Sequence, residues 1–213
     1  MILYNQNKKT VFFDFESSIC INHGNTSNIY KIDDYILKKY YVYASDAFKL
    51  DIEILEILNQ INSENMIKIY DLLYEDIDLS ELSGYTAKYY EDKKINIFDK
   101  DLDYVLDNMN NIEKLFDELS KNIIRVKDLK YKNTILMDDK IILIDPDAYK
   151  KVNYSESSLR KINKKRLLSL FKNIYLCCLS KKDGCKKIYD LFDIKVDEST
   201  NITYELSKKM KKH

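Results

Sequence analysis

The chain has 213 residues, 45% of them hydrophobic, which is enough for one ordinary domain or two closely packed lobes. Its 35 Lys and Arg residues balance its 35 Asp and Glu residues, and this zero net charge argues against a nucleic-acid partner, which would require a basic excess. The longest apolar runs fall far short of the ~20 residues that span a bilayer, and the N-terminal residues lack a signal-peptide core. We therefore expect a cytoplasmic protein without a membrane span.

Cysteine and histidine are both scarce. The cysteines are Cys20, Cys177, Cys178 and Cys185, and the histidines are His23 and His213. The adjacent cysteine pair lies in a helical pattern with no nearby histidine, which argues against a zinc site, so we expect buried, reduced thiols. With only two histidines we also expect neither Ser-His-Asp nor Cys-His catalysis.

The first part of the chain has the pattern of short strands. Aromatic and β-branched residues predict strands over residues 10–15, 19–22 and 28–32. A polar turn over residues 23–27 joins the last two, and Gly24 there would let backbone amides approach a ligand. An ordinary hairpin turn explains the same residues equally well.

A fourth strand and a helix follow. Residues 35–40 predict a strand that carries Lys38 near its end, although two consecutive lysines are also typical of a solvated sheet edge. Apolar residues at helical spacing, with a capping residue at Ser45 or Asp46, then predict a helix over residues 45–60. That stripe consists of Phe48, Ile52, Leu55 and Leu58.

The remaining chain changes from strands to helices. Residues 65–74 and 83–90 predict two more strands, and helical stripes cover residues 100–124, 159–179, 185–192 and 198–210. Between the first two of these helices, residues 134–144 predict two buried strands joined by a tight Asp-Asp-Lys turn. The fold class is therefore α+β.

The predicted hairpin has chemical meaning because polar residues flank it. Asp128 and Asn133 precede it and Asp145 follows it, so folding its ends together would place all three in one pocket. Oxygen ligands of this kind suit Mg²⁺, and a carboxylate beside them can orient an attacking hydroxyl. The arrangement points to phosphoryl transfer from ATP. Its competitor is a chance match in a chain rich in Asp, Asn and Lys.

These residues resemble two motifs of the protein-kinase superfamily, the catalytic loop H-R-D-L-K-x-x-N and the metal-binding D-F-G. The matching residues are Asp128, Leu129, Lys130, Asn133 and Asp145. The chain departs from the motifs at Val126 and at Pro146-Asp147. The Asp-x-Asp ending is similar to the small-molecule kinase and antibiotic phosphotransferase branch, so the resemblance is to small bacterial kinase-like proteins of both the Ser/Thr-kinase and aminoglycoside-phosphotransferase types.

The resemblance implies a role for each site residue in the helical half. Asp128 would orient the acceptor hydroxyl as the base, and Lys130 would offset charge on the transferred phosphoryl group. Asn133 and Asp145 would hold Mg²⁺, with Asp147 as a further ligand.

The same resemblance assigns the nucleotide-binding residues of the strand-rich half. Gly24 and Ser27 would lie in the phosphate-covering loop, and Lys38 would contact the α- and β-phosphates. Asp51 on the predicted helix would hold that lysine in place, although it is one methylene shorter than the family's glutamate. The backbone of Lys88 and Tyr90 would meet adenine.

The resemblance thus implies a bilobal protein-kinase-like fold, with residues 1–91 as an N-lobe of antiparallel sheet plus one helix and residues 92–213 as an abbreviated, mostly helical C-lobe. The expected function is an ATP- and Mg²⁺-dependent phosphotransferase, most simply a Ser/Thr-kinase-like enzyme with a protein or small-molecule hydroxyl as acceptor. Three alternatives stay open: a small-molecule kinase of the aminoglycoside or choline type, a nucleotide-binding pseudokinase, and an α and β interaction protein whose motifs are accidental. The sequence does not indicate an oligomeric state.

Overall fold

The structure is a computed structural model that describes residues 1–14, 18–46, 49–179 and 184–211. Within those ranges the protein is α+β, with a seven-stranded antiparallel sheet, two short ribbons and five α-helices. It divides into two compact units, residues 1–51 with 67–91 and residues 52–66 with 92–213. The predicted lobes share the boundary after residue 91 with these units, whereas residues 52–66 group with the second unit.

The sheet forms most of the first unit. Its strands are β1 (Ile2–Asn5), β2 (Thr10–Phe12), β3 (Ile19–His23), β4 (Ser27–Ile32), β5 (Tyr35–Tyr40), β6 (Ile69–Tyr74) and β7 (Leu82–Lys88). They lie in the order β2-β1-β6-β7-β5-β4-β3, and each neighbouring pair is antiparallel. One face buries a cluster of Leu3, Phe13, Leu37 and Leu73.

Backbone geometry places β5 in the interior of this sheet. A two-residue turn joins β4 to β5, and Asp33 adopts the positive φ of 51° that such hairpin turns require. On the other side β7 approaches so closely that a Cβ at Gly84 would lie 2.1 Å from the Lys38 carbonyl oxygen. The lysine-bearing strand is therefore not an edge strand.

The second unit is mainly helical. Its elements are α1 (Ile52–Ile61), α2 (Leu102–Lys121), β8 (Ile124–Arg125), β9 (Thr134–Leu136), β10 (Ile141–Leu143), β11 (Lys150–Lys151), α3 (Glu156–Cys178), α4 (Gly184–Leu191) and α5 (Ile202–Met210). Side chains of Asp101, Ser155 and Asn201 cap α2, α3 and α5 by accepting main-chain hydrogen bonds. Helices α2 and α3 pack together through their apolar stripes, which forms the core of the unit. None of the described helices is both long and apolar enough to traverse a bilayer.

Buried Asn163 ties α3 to the chain that follows α2. Its side-chain oxygen accepts from Val126 N at 3.0 Å, and its amide donates to Ser120 Oγ at 2.9 Å and to the Ile124 carbonyl at 3.0 Å. The side chain is 0% exposed. Because buried polar groups require partners, this asparagine fixes the backbone just before Asp128.

A second polar contact docks the C-terminal helix. The carboxylate of Glu113 on α2 accepts from Ile202 N at 3.0 Å and Thr203 N at 3.2 Å, at the start of α5. Lys164 lies 3.6 Å from the same carboxylate and donates to the Thr200 carbonyl at 2.8 Å. Both charged side chains are buried, so each serves as the counter-charge that the other needs.

Several sequence predictions need correction. The helix predicted over residues 45–60 begins only at Ile52, directly after Asp51, while Phe48 and the end of the predicted 10–15 strand lie outside the described residues. Polar residues that can start a helix occur at 45–46 and again at 51, and the second position is the one used. Strand β1 was not predicted, because its four residues are too few to show an alternating pattern; it pairs with nearby β2 and with distant β6.

The expectation of buried thiols is also wrong. Cys177 is exposed, and Cys20, Cys178 and Cys185 are half-buried. The reason is position, since Cys20 lies on the outermost strand β3 and the other three lie at the end of α3 and the start of α4.

Candidate functional site

The predicted hairpin is formed by β9 and β10. Thr134 pairs with Leu143, and one residue further out the Ile144 amide donates to the Asn133 carbonyl at 2.9 Å. Asn133 and Asp145 therefore lie at the same end of the hairpin. The apolar strand residues and the turn over residues 137–140 set this register, as the sequence predicted.

Asp128 joins this end of the hairpin through Asn133. The Asn133 amide nitrogen donates to the Asp128 carbonyl oxygen at 2.8 Å and to its carboxylate at 3.3 Å. A carbonyl oxygen can only accept, so this contact fixes which end of the amide points to Asp128. The amide oxygen of Asn133 therefore points away from Asp128, and it is the atom that could bind a cation.

Both aspartates have left-handed backbone conformations. The φ angle is 48° at Asp128 and 65° at Asp145. Aspartate tolerates this region better than most residues, yet such conformations cost free energy and cluster at functional sites. Pro146 follows at the first position of a short 3₁₀ turn, which proline's fixed φ suits.

Lys130 controls the charge of Asp128. Burial alone would raise the pKa of the Asp128 carboxyl, but the hydrogen bond and charge of Lys130, helped by the Asn133 amide and the charge of Lys132, lower it overall. Asp128 is therefore a carboxylate at neutral pH, able to accept a hydrogen bond from a hydroxyl. Lys130, predicted to act on the phosphoryl group, is engaged with Asp128.

The residues after the hairpin are more deeply placed. Asp145 is half-buried, whereas Asp147 and Tyr149 are buried. The Tyr149 hydroxyl has no hydrogen-bond partner among the described residues, and its pKa is raised by burial and by the charge of Asp145. Tyr149 thus keeps its proton near the predicted metal-binding carboxylate.

The donor set of the hairpin end suits Mg²⁺ in kind. The Asn133 amide oxygen and the Asp145 carboxylate are hard oxygen donors, and Mg²⁺ commonly takes only one or two protein carboxylates together with substrate phosphates and water. In the described part of the chain, no group of three or more His, Cys, Asp or Glu side chains is arranged to hold a metal. The participation of Asp147 stays a prediction.

The Gly24 turn in the first unit is a tight hairpin. The Gly24 amide donates to the Ser27 carbonyl at 2.8 Å, and the Tyr41 amide donates to the Thr26 carbonyl at 2.8 Å. The Gly24 amide is therefore used inside the turn, and Ser27 is buried. The Gly24 amide is therefore less available to phosphates than the predicted phosphate-covering loop requires.

Lys38 is not a solvated edge residue. It lies on interior strand β5 and is 6% exposed, with its ammonium 5.8 Å from the centre of the Tyr85 ring. The neighbouring Lys39 forms an ion pair with Glu75 at 2.5 Å. Burial of an ammonium costs free energy, and the contact of Lys38 with nucleotide phosphates stays a prediction.

The remaining predicted residues flank these elements. Asp51 lies immediately before α1 and not within a helix, which corrects the predicted helical position. Glu53 on α1 pairs with Lys151 at 2.6 Å. In the predicted adenine-binding segment the Lys88 amide donates to the Lys68 carbonyl at 2.8 Å, and the Lys88 ammonium lies 5.3 Å from the centre of the Tyr90 ring.

The predicted site residues thus form two groups. Gly24, Ser27, Lys38, Asp51, Lys88 and Tyr90 belong to the first unit, and Asp128, Lys130, Asn133, Asp145 and Asp147 belong to the second. Sequence reasoning missed Asn163, although an asparagine in the apolar stripe between Leu159 and Leu167 was a usable signal. No protein-family model matches the chain, and no curated protein matches it either.

Proposed function

We propose that the protein is an ATP- and Mg²⁺-dependent phosphotransferase with a bilobal protein-kinase-like fold. The observation that carries this proposal is the orientation of the Asn133 amide. Its nitrogen donates to Asp128, so its oxygen points away from Asp128, and Asn133 lies at the same end of the hairpin as Asp145. A carboxylate acceptor and hard oxygen donors together are what phosphoryl transfer to a hydroxyl requires.

Each residue of the second unit has a distinct task in this proposal. Asp128 is kept ionised by Lys130. Its carboxylate accepts a hydrogen bond from the substrate hydroxyl and thereby orients that hydroxyl. Asn133 and Asp145, with Asp147, would hold Mg²⁺, which when bound offsets phosphate charge. The left-handed backbone at Asp128 and Asp145 holds both side chains in position before substrate binds.

The first unit supplies the cation for the nucleotide phosphates. Lys38 is assigned to this task because it is a buried ammonium on an interior strand, held between β4 and β7. The main chain at the end of β7 and just beyond it, at Lys88 and Tyr90, is assigned to hydrogen bonding with adenine. Lys38→Met removes the charge while keeping an unbranched chain of similar length, so it tests the assignment with little loss of packing.

Calorimetric titration with Mg-ATP tests the proposal directly. Wild type is expected to bind Mg-ATP, and both Asp145→Asn and Lys38→Met are expected to weaken binding at least tenfold, which corresponds to ~1.4 kcal/mol. The matched control is Asp139→Asn, which changes an exposed carboxylate in the turn of the same hairpin. Absence of Mg-ATP binding by wild type, or equal binding by all four proteins, would overturn the proposal.

The region after Asp147 favours a small-molecule acceptor over a protein acceptor. Only residues 148–155 separate it from α3, and two of them form β11, which pairs with β8. That connection is too short to include the long activation segment of regulated protein kinases, which the sequence also lacks. Screening aminoglycosides and choline-type alcohols against generic protein substrates, with labelled ATP, separates the two acceptor classes.

The tight Gly24 turn favours a second candidate, a pseudokinase that binds nucleotide without transferring phosphate. With the Gly24 amide engaged by Ser27 and Asp51 outside α1, two predicted nucleotide contacts differ from the kinase pattern. Binding of Mg-ATP with turnover no higher than that of Asp128→Asn would establish this candidate in place of the enzyme.

A further inference from the structure

A cysteine, a histidine and an asparagine converge on the β3–β4 hairpin. Cys20 and His23 lie three residues apart on β3, and Asn28 is the cross-strand partner of His23. In a regular strand, residues three apart point to opposite faces. The register of β3 shifts between Cys20 and Asn22, and this bulge at Ile21 brings Cys20 and His23 to the same face.

Hydrogen bonds set the tautomer of His23. Its Nδ1 lies 2.9 Å from Asn28 Oδ1, an atom that can only accept, so Nδ1 carries the proton in the neutral ring. The unprotonated Nε2 then lies 3.5 Å from Cys20 Sγ, nearer than Nδ1 at 3.8 Å. A thiol facing an imidazole lone pair, with the ring oriented by a third side chain, is the arrangement that activates a nucleophile.

Two tyrosines hold Asn28 in this orientation. The Tyr41 hydroxyl donates to Asn28 Oδ1 at 2.7 Å, and the Asn28 amide donates to the Tyr30 hydroxyl at 3.3 Å. The pKa of Tyr41 is raised, mainly by burial and to a lesser extent by the charges of Tyr43, Cys20 and Tyr30. Its hydroxyl therefore keeps the proton that it donates to Asn28.

The site is open to small molecules. Cys20 is half-buried and His23 is exposed, and both lie on outermost strand β3. The other acceptor within reach of the thiol is the Asn22 carbonyl at 3.6 Å. Among the described residues, the ionisable groups beside this cluster include Tyr30 and Lys31 on β4, Lys39 on β5, and Tyr41 and Tyr43 after β5.

We propose that Cys20 is a reactive thiol, with His23 as its base and Asn28 as a positioning residue, which undergoes exchange with disulfides of low-molecular-weight thiols. The thiol proton passes to His23 Nε2, and the thiolate attacks one sulfur of the disulfide. A new sulfur–sulfur bond forms to Cys20 as the old one breaks, and the departing thiolate takes the proton from the imidazolium. The net reaction converts one thiol and one disulfide into a mixed disulfide and a free thiol. The proposal does not depend on phosphotransferase activity.

The test measures disulfide exchange with 5,5′-dithiobis-(2-nitrobenzoate) from acid to alkaline pH. A variant with Cys177, Cys178 and Cys185 changed to Ser reports on Cys20 alone, and a variant that keeps only exposed Cys177 is the reference thiol. At pH 6 the exchange rate of Cys20 is expected to exceed that of Cys177 severalfold, because His23 takes up the thiol proton when the thiolate attacks.

Variants of the oriented base complete the test. His23→Gln is expected to reduce the exchange rate of Cys20 to that of Cys177, whereas His213→Gln, which changes the only other histidine in the sequence, leaves it unchanged. Asn28→Ala is expected to lower the exchange rate and Asn28→Asp to restore it, because aspartate also accepts from Nδ1. A second measurement needs no variant: mass spectrometry of wild type after brief incubation with oxidised glutathione is expected to find the mixed disulfide first at Cys20. Equal reactivity of Cys20 and Cys177, or indifference of Cys20 to His23→Gln, would overturn the proposal.

Discussion

Replacing Asn163 by Ala removes three hydrogen bonds from the core of the second unit. Ser120 Oγ keeps its own donor bond to the Phe116 carbonyl at 2.7 Å, so it loses little. The Val126 amide and the Ile124 carbonyl lose a partner where water does not reach. At roughly 1–3 kcal/mol for each of the two buried groups left unsatisfied, we expect a loss of about 2–6 kcal/mol in the free energy of unfolding.

Urea denaturation followed by the helical circular dichroism signal measures that loss, and hydrogen exchange of the Val126 amide measures its local consequence. Asn111→Ala on the exposed surface of α2 is the matched control, expected to change stability by less than about 0.5 kcal/mol. A loss below ~1 kcal/mol for Asn163→Ala, with exchange at Val126 unchanged, would show that the asparagine is not what holds the chain before Asp128.

Three further predictions concern packing and charge. Gly84→Ala is expected to lower the free energy of unfolding by about 3 kcal/mol in urea denaturation, because the added carbon would lie 2.1 Å from a carbonyl oxygen of β5. Glu75→Gln is expected to cost less than about 1 kcal/mol at neutral pH, as for other exposed ion pairs. Lys39 holds the pKa of Glu75 below its ordinary value, so the contribution is present above that value and is lost as pH falls; stability measured against pH should show the two proteins converging in acid. Lys164→Met leaves a buried carboxylate unpaired and is expected to cost about 3–5 kcal/mol in urea denaturation, whereas exposed Lys165→Met should be nearly neutral.

Local patterns predicted the elements whose partners are close in sequence. Residues 35–40 form the predicted strand β5, and the hairpin after Asn133 has its turn at the predicted position. Both rest on short apolar runs bounded by turn-forming residues, which leave few alternatives. Strand β1 was missed although its partner β2 is close in sequence, because its four residues are too few to show an alternating pattern; its second partner β6 lies some 70 residues away.

The candidate site was predictable only where residue type and spacing determine geometry. Asp128 and Asn133 are five residues apart and share hydrogen bonds, as the motif implied. The proximity of Cys20 and His23 was not predictable, because it depends on a bulge that reverses the strand's alternation. The number of histidines in the sequence therefore gave no sign that one of them lies beside a cysteine.

The bulge at Ile21 also protects the molecule against unwanted association. Strand β3 is the outermost strand on its side of the sheet and presents Ile19 and Ile21 to solvent, 66% and 46% exposed. A regular edge strand can pair with a strand from another molecule and so start aggregation, whereas a bulge disrupts that pairing. Deleting Ile21 would leave Cys20 and His23 two positions apart on one face of a regular strand. It would also leave a straight edge to which a strand from another molecule could add.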